Sequence, residues 1–171
     1  MNIANLLTTI RFFLVPIVGW LLYNNQNIWA IVVLVLSGLT DIFDGFFARK
    51  FNTVTSWGKL ADPLADKLMQ IMVLVMLFIK DKISIVIVII LILKEIFMVI
   101  GSYFLYKEDN VVVSANWYGK IATVLIYFAV VLIIFNVPYA SIIMILAVAF
   151  SLFSLLMYTL NFLKLKSQTN K

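Results

Sequence analysis

Four aspartates could carry the chemistry of this chain, and they come as two pairs within 26 residues. Asp41 and Asp44 are three residues apart, whereas Asp62 and Asp66 are four residues apart. Either spacing places both carboxylates of a pair on one face of an α-helix. Because converging carboxylates repel one another unless positive charge lies among them, the pattern predicts a divalent cation site. Oxygen-only ligands favour hard ions such as Mg²⁺ or Mn²⁺.

The residues between the two pairs indicate phosphate chemistry. Gly45 follows Asp44 directly, so a bulky ligand can approach the backbone there. The planar guanidinium of Arg49 suits bidentate phosphate binding, while Ala48 and Gly58 would keep a cleft between two helices open. A carboxylate cluster beside such an arginine is typical of two-metal phosphoryl transfer, in which one carboxylate deprotonates the nucleophile. Two other interpretations remain open: charges that close helix ends at a membrane surface, and a proton or cation pathway.

The composition is that of an integral membrane protein. Of 171 residues, 64% are hydrophobic and 12% are charged, whereas soluble domains have roughly 25% charged residues. The net charge of +5 does not indicate a nucleic-acid partner, because the basic residues are scattered at the ends of apolar runs. The chain has no cysteine and no histidine. Disulfides and thiolate catalysis are therefore excluded, and any general base is a carboxylate, a lysine or a tyrosine.

Six apolar runs approach or reach the roughly 20 residues that cross a bilayer. They lie at about 7–23, 28–47, 60–79, 83–105, 117–135 and 139–163. We expect an all-α integral membrane fold of six transmembrane helices, because a lipid-facing backbone must satisfy its own hydrogen bonds. Basic residues are concentrated in the loops on the side of the two termini, so the positive-inside rule places both termini and the aspartates in the cytoplasm. This predicts a single membrane domain, 1–171, with a polar active-site cleft open to the cytoplasmic side.

The string Asp41-x2-Asp44-Gly45-x2-Ala48-Arg49-x8-Gly58-x3-Asp62-x3-Asp66 resembles the signature of the CDP-alcohol phosphotransferase family, with every fixed position filled. Members of that family cleave the pyrophosphate of a CDP-linked donor, release CMP and join the phosphoryl group to an acceptor alcohol. The resemblance implies that the four aspartates hold two divalent cations, Mg²⁺ or Mn²⁺, and that Asp66 is also the general base. It further implies contacts to the CDP group from Gly45, Ala48, Arg49, Thr55 and Gly58.

Residues 1–11 and 61–67 are similar to the corresponding segments of the bacterial phosphatidylglycerophosphate synthases in this family. The similarity implies phosphatidyl transfer from CDP-diacylglycerol to glycerol 3-phosphate, by a homodimer in a bacterial cell membrane. It adds Asn5 and Thr8 to the candidate donor contacts. Arg11 is interpreted either as a donor-site residue or as a charge that extends to the membrane interface.

The acceptor side fits these synthases less closely. Lys120 is the first candidate for binding the acceptor phosphate and Lys94 is the second, although Lys94 and Glu95 could instead form an internal ion pair. Ala122 stands where the synthases have another lysine, so one expected cation is missing. The alternative within the family is a cardiolipin synthase, whose acceptor is phosphatidylglycerol. The alternative from another class is a membrane transporter that binds a cation at the aspartates.

Overall fold

A computed structural model describes the backbone of residues 3–50, 56–109 and 117–169. Side chains are described for residues 6–40, 61, 64–99 and 117–161. Six α-helices account for nearly all of this backbone. In chain order they are α1 (Ile3–Tyr23), α2 (Asn27–Lys50), α3 (Ser56–Ile79), α4 (Ile85–Asp109), α5 (Trp117–Ile134) and α6 (Ala140–Thr169).

Each predicted span corresponds to one helix, and the ends differ by at most six residues. Within the described residues, three segments are long and apolar enough to cross a membrane: Leu6–Tyr23, Trp117–Ile134 and Ala140–Asn161. The outer faces of the helices are apolar as well, with Phe13 and Trp117 among the most exposed large side chains. Such surfaces are expected where lipid, rather than water, surrounds a protein. The all-helical membrane fold is therefore confirmed at this level, while six crossings stay a prediction.

Helices α1, α2 and α3 form one compact unit, in which α1 packs against both α2 and α3. The buried apolar side chains of α1 and α3 recur every three or four residues, as a helix face buried in a core requires. They include Val15, Val18 and Leu22 on α1, and Met69, Val73 and Leu77 on α3. This interface positions the candidate site.

Helices α4, α5 and α6 form the second unit, in which α6 packs against α4 and α5. Small buried residues, including Ala122 and Ala129 on α5 and Ala147 on α6, let the helix backbones approach closely. In the first turn of α5, the Tyr118 hydroxyl accepts a 2.8 Å hydrogen bond from the side-chain amide of Asn161 on α6. A hydrogen bond between side chains of two membrane helices fixes their register.

Three helices end in the same way, on a residue in the left-handed backbone conformation. These residues are Asn25 (φ 59°), Asp81 (φ 54°) and Asn136 (φ 54°), which follow α1, α3 and α5. In each case the next amide donates to a carbonyl five residues earlier, as from Gln26 to Leu21 after α1. This pattern satisfies carbonyl groups at a helix end and permits a tight turn. Lys80 also hydrogen-bonds the Asn25 side chain, which joins the turns after α1 and α3.

Candidate active site

Asp66 is the predicted general base, and its carboxylate binds the guanidinium of Arg11. The distance from Arg11 Nη1 to Asp66 Oδ1 is 3.0 Å. Arg11 lies on α1 and Asp66 on α3, so the ion pair crosses the interface between the two helices. Arg11 is fully buried, whereas the Asp66 side chain is 44% exposed. In this ion pair the guanidinium is therefore buried, while the carboxylate is partly accessible.

The orientation of α1 and α3 follows from their contacts. Farther along the helices, Gly19 on α1 lies against Met72 on α3. Since contacts advance in the same direction on both helices, α1 and α3 run parallel. Arg11 and Asp66 both lie in the first half of their helices. The backbone of that half of α3 also carries Asp62, and the second half of α2 carries Asp41 and Asp44.

A buried guanidinium needs a charged partner. Removing a charge from water is costly unless an opposite charge and hydrogen bonds compensate it. Asp66 supplies that compensation for Arg11, and the carboxylate remains accessible. The interpretation of Arg11 as a charge that extends to the membrane interface is therefore wrong, because the side chain is fully buried and lies between two helices.

Two further polar residues extend this interface along the helices. Thr8, a predicted donor contact, lies one turn before Arg11 on α1 and is fully buried. Gln70 lies one turn after Asp66 on α3 and is 5% exposed. Gln70 was not predicted, because a single amide in an apolar helix has no signal that separates a buried position from a lipid-facing one. Gln70 lies four residues after Asp66, a spacing that places both side chains on the same face of α3.

Most other predicted site residues lie outside the described side chains. The backbone of α2 carries Asp41, Asp44, Gly45, Ala48 and Arg49, and the backbone of α3 carries Gly58 and Asp62. The side chains of these residues, the Asn5 side chain and the whole of Thr55 are not among the described residues. No group of three or more potential metal ligands occurs among the described residues. Because three of the four aspartates are outside that set, the predicted metal site is not tested.

The two acceptor candidates occupy different environments. Lys94 is 3% exposed, and its Nζ lies 2.8 Å from Glu95 Oε1. The internal ion pair that the sequence allowed is therefore present. Lys120 is exposed on the second turn of α5. Of the two lysines, Lys120 has the side chain that a ligand could reach without breaking an ion pair, while phosphate binding by either one stays a prediction.

Known proteins are similar to this sequence over most of its length. The family model described as CDP-alcohol phosphatidyltransferase matches residues 1–153. The CDP-diacylglycerol--glycerol-3-phosphate 3-phosphatidyltransferase of Rickettsia typhi is 35% identical over 136 residues, covering 78% of this chain and 76% of the relative. The protein of the same name from Aquifex aeolicus is 32% identical, covering 74% and 71%.

A relative with a different name is also similar. The cardiolipin synthase (CMP-forming) of Streptomyces coelicolor is 29% identical over 142 residues, covering 80% of this chain and 66% of the relative. The family match includes all four aspartates of the two pairs as well as Arg11, Lys94 and Lys120. The chain belongs to the CDP-alcohol phosphatidyltransferase family.

Proposed function

We propose that this protein transfers the phosphatidyl group of CDP-diacylglycerol to glycerol 3-phosphate, which gives phosphatidylglycerophosphate and CMP. Support comes from the relatives named for this reaction, which are 32–35% identical to the chain. The structural observation that carries the proposal is Asp66, a carboxylate fixed by a buried arginine yet 44% exposed. A general base needs that combination of fixed orientation and access to substrate.

Asp41, Asp44, Asp62 and Asp66 are proposed to hold two divalent cations, Mg²⁺ or Mn²⁺. The all-oxygen donor set suits these hard ions. When bound, the metal ions would stabilise the negative charge that develops on the pyrophosphate oxygens.

In the proposed reaction, Asp66 takes the proton from an acceptor hydroxyl. The hydroxyl oxygen then forms a bond to the phosphorus atom that carries the diacylglycerol group. The bond from that phosphorus to the bridging oxygen of the pyrophosphate breaks, and CMP leaves with the electron pair. The proton on Asp66 passes to water, so the carboxylate is restored for the next cycle.

The donor is proposed to bind with its acyl chains in the bilayer and its CDP group in the cleft. The candidate contacts are Asn5, Thr8, Gly45, Ala48, Arg49, Thr55 and Gly58. Arg49 would bind the pyrophosphate through its planar guanidinium. Arg49→Lys should therefore raise the apparent donor KM, because a point charge replaces a planar fork. An unchanged KM would argue against this contact.

For the acceptor phosphate, Lys120 is the better candidate. Its side chain is exposed, whereas Lys94 would have to leave a 2.8 Å ion pair with Glu95. Breaking a buried pair leaves an uncompensated charge, which is costly. Lys94 and Glu95 instead compensate each other's buried charge within α4.

The membrane arrangement belongs to the same proposal. We infer that all six helices cross the bilayer, within one domain, and that both termini and the cleft face the cytoplasm. Three apolar helices and relatives from bacteria support a bacterial membrane protein. A homodimer follows only from the resemblance to the family.

A second acceptor is favoured by one specific observation. The Streptomyces coelicolor relative is named a cardiolipin synthase, and it covers 80% of this chain. In that case phosphatidylglycerol would replace glycerol 3-phosphate as the acceptor, while the donor, the base and the release of CMP would stay the same. The absence of the second lysine at Ala122 is compatible with an acceptor of this kind.

The test is CMP release by purified protein in mixed micelles with CDP-diacylglycerol and Mg²⁺. The acceptor is varied among glycerol 3-phosphate, phosphatidylglycerol, inositol phosphate and serine. Asp66→Asn serves as the blank, and Asp81→Asn is the matched control because it removes a carboxylate from the distant turn after α3. CMP release with glycerol 3-phosphate, lost only in Asp66→Asn, is expected.

CMP release with phosphatidylglycerol as the only active acceptor would identify the chain as a cardiolipin synthase. If the folded protein releases no CMP with any acceptor but carries cations into liposomes, the transporter hypothesis would be supported and the enzyme hypothesis rejected.

A further inference from the structure

We propose that Arg11 is a positioning residue that holds Asp66 in place before metal binds and then shares the carboxylate charge with the divalent ions. The inference rests on the proposed function for the identity of the site, and it assigns a role that the sequence pattern does not contain. Arg11 lies on α1, outside the aspartate motif of α2 and α3.

The position of Arg11 is fixed by its surroundings. It is fully buried and is among the largest fully buried side chains of the described residues. Its guanidinium carries a positive charge and five N–H donors. Nη1 lies 3.0 Å from Asp66 Oδ1, which is a charge-assisted hydrogen bond of good length. A charge that is both permanent and enclosed between two helices cannot move away when a ligand enters.

Electrostatics explains why such a charge is useful. Carboxylates that converge to bind metal repel one another when the metal is absent. The charge on Arg11 lowers that repulsion and keeps Asp66 oriented toward the interface of α1 and α3. Once metal is bound, the same positive charge opposes the incoming cations, since two unit charges about 5 Å apart still interact appreciably at the effective dielectric of a protein. Arg11 therefore stabilises the metal-free site and weakens metal affinity.

The expected consequence is measurable without substrate. Replacing Arg11 by methionine, an unbranched apolar side chain, should lower the Tm in EDTA. It should also tighten metal binding by about tenfold or more, because the opposing charge is gone. A tenfold gain in affinity raises the metal-induced increase in Tm by roughly 3–5 °C at saturating metal.

The experiment measures Tm in detergent for the wild type, Arg11→Met and Arg11→Lys, in EDTA and in a series of Mg²⁺ and Mn²⁺ concentrations. Lys80→Met is the matched control, because it removes one positive charge at the turn after α3. We expect a larger metal-induced increase in Arg11→Met than in the wild type. Lys80→Met and Arg11→Lys should keep the wild-type increase, because neither removes the charge at the site.

Three outcomes would overturn the proposal. A metal-induced increase that is equal in Arg11→Met and wild type would assign Arg11 to packing alone. If the Tm of the wild type does not respond to either metal, the protein binds no divalent ion with which Arg11 could share the carboxylate charge. If Arg11→Met does not fold, Arg11→Lys carries the test: metal affinity weaker than that of the wild type would contradict charge sharing.

Kinetics provide a second readout. If Arg11 positions the base, Arg11→Met should lower kcat by about tenfold or more while the donor KM changes little. If Arg11 instead bound the donor phosphates, the donor KM would rise at unchanged kcat, which would also overturn the proposal. Failure of the proposed function would appear differently, as an inactive wild type that still binds metal and still depends on Arg11 for its Tm.

Discussion

The contact of Gly19 on α1 with Met72 on α3 predicts how a single methyl group would affect the packing of these two helices. A Cβ atom added at Gly19 would lie 2.7 Å from Met72 Sδ and 3.3 Å from Met72 Cγ. Gly38 on α2 provides the matched position, because a Cβ atom added there has no neighbour within 4 Å. Both glycines lie inside helices, so the gain in helix propensity on changing to alanine is similar and cancels in a comparison.

The magnitude follows from the displacement that the methyl group requires. Met72 Sδ would have to move by about 1 Å to restore an ordinary contact distance. Overpacking of this kind costs about 1–3 kcal/mol. Since methionine is flexible, the lower half of that range is expected. Gly19→Ala should therefore be about 1–2 kcal/mol less stable than Gly38→Ala, which corresponds to a Tm lower by roughly 2–8 °C for a chain of this size.

The assay is thermal unfolding of both variants in the same detergent, with CMP release as a second readout. Met72→Ala should remove the clash, so combining it with Gly19→Ala should cost less than the sum of the two single changes. Because the same interface contains Arg11 and Asp66, Gly19→Ala should also lower turnover while Gly38→Ala does not. Equal Tm values for the two alanine variants would refute the described approach of α1 and α3.

Other predictions concern the helix ends and the loop charges. Asp81→Gly and Asn136→Gly should each stabilise the protein by about 0.5–1 kcal/mol, because glycine adopts the left-handed conformation without steric cost; thermal unfolding checks this, and no gain would argue against those turns. Asn161→Leu removes the donor of the 2.8 Å bond to Tyr118 and should cost about 1 kcal/mol, with a smaller loss when Tyr118 is already phenylalanine. Burial, followed by the charge of Lys80, lowers the pKa of Lys82 below its usual 10.5. The unfolded state then binds more protons than the folded state as pH approaches 10.5, so the unfolding free energy should rise with pH in that window, and Lys82→Met should flatten the rise.

Hydropathy alone predicted most of the fold, because a lipid environment permits few alternatives to the helix. The first span was predicted to end near residue 23, and the helix ends at Tyr23 with Asn25 in the left-handed conformation. The predicted gaps at 80–82 and 136–138 likewise contain turns, with Asp81 and Asn136 in the left-handed conformation. Helix ends were less accurate, since α3 begins at Ser56, four residues before the predicted span. Hydropathy does not register polar residues that continue a helix beyond the bilayer.

The site was predictable only where its residues are close in sequence. The resemblance of the motif from Asp41 to Asp66 to a known signature implied the family, and the family match over residues 1–153 confirms it. The partner of Asp66 could not be predicted, because Arg11 is 55 residues away and a single sequence contains no signal for pairing between helices. The burial of Gln70 and of Lys94 depends on the packing of whole helices, which periodicity predicts only as a face and not as a contact.

The most direct test of the proposed reaction follows one oxygen atom. Glycerol 3-phosphate labelled with ¹⁸O in its free primary hydroxyl is incubated with CDP-diacylglycerol, metal and the purified protein. If Asp66 activates that hydroxyl for attack on the donor phosphorus, one CMP should form per lipid product, with the ¹⁸O in the new phosphodiester and none in CMP. Asp66→Asn should form neither product. CMP released without a labelled lipid, or equal activity of Asp66→Asn, would contradict direct transfer with Asp66 as the base.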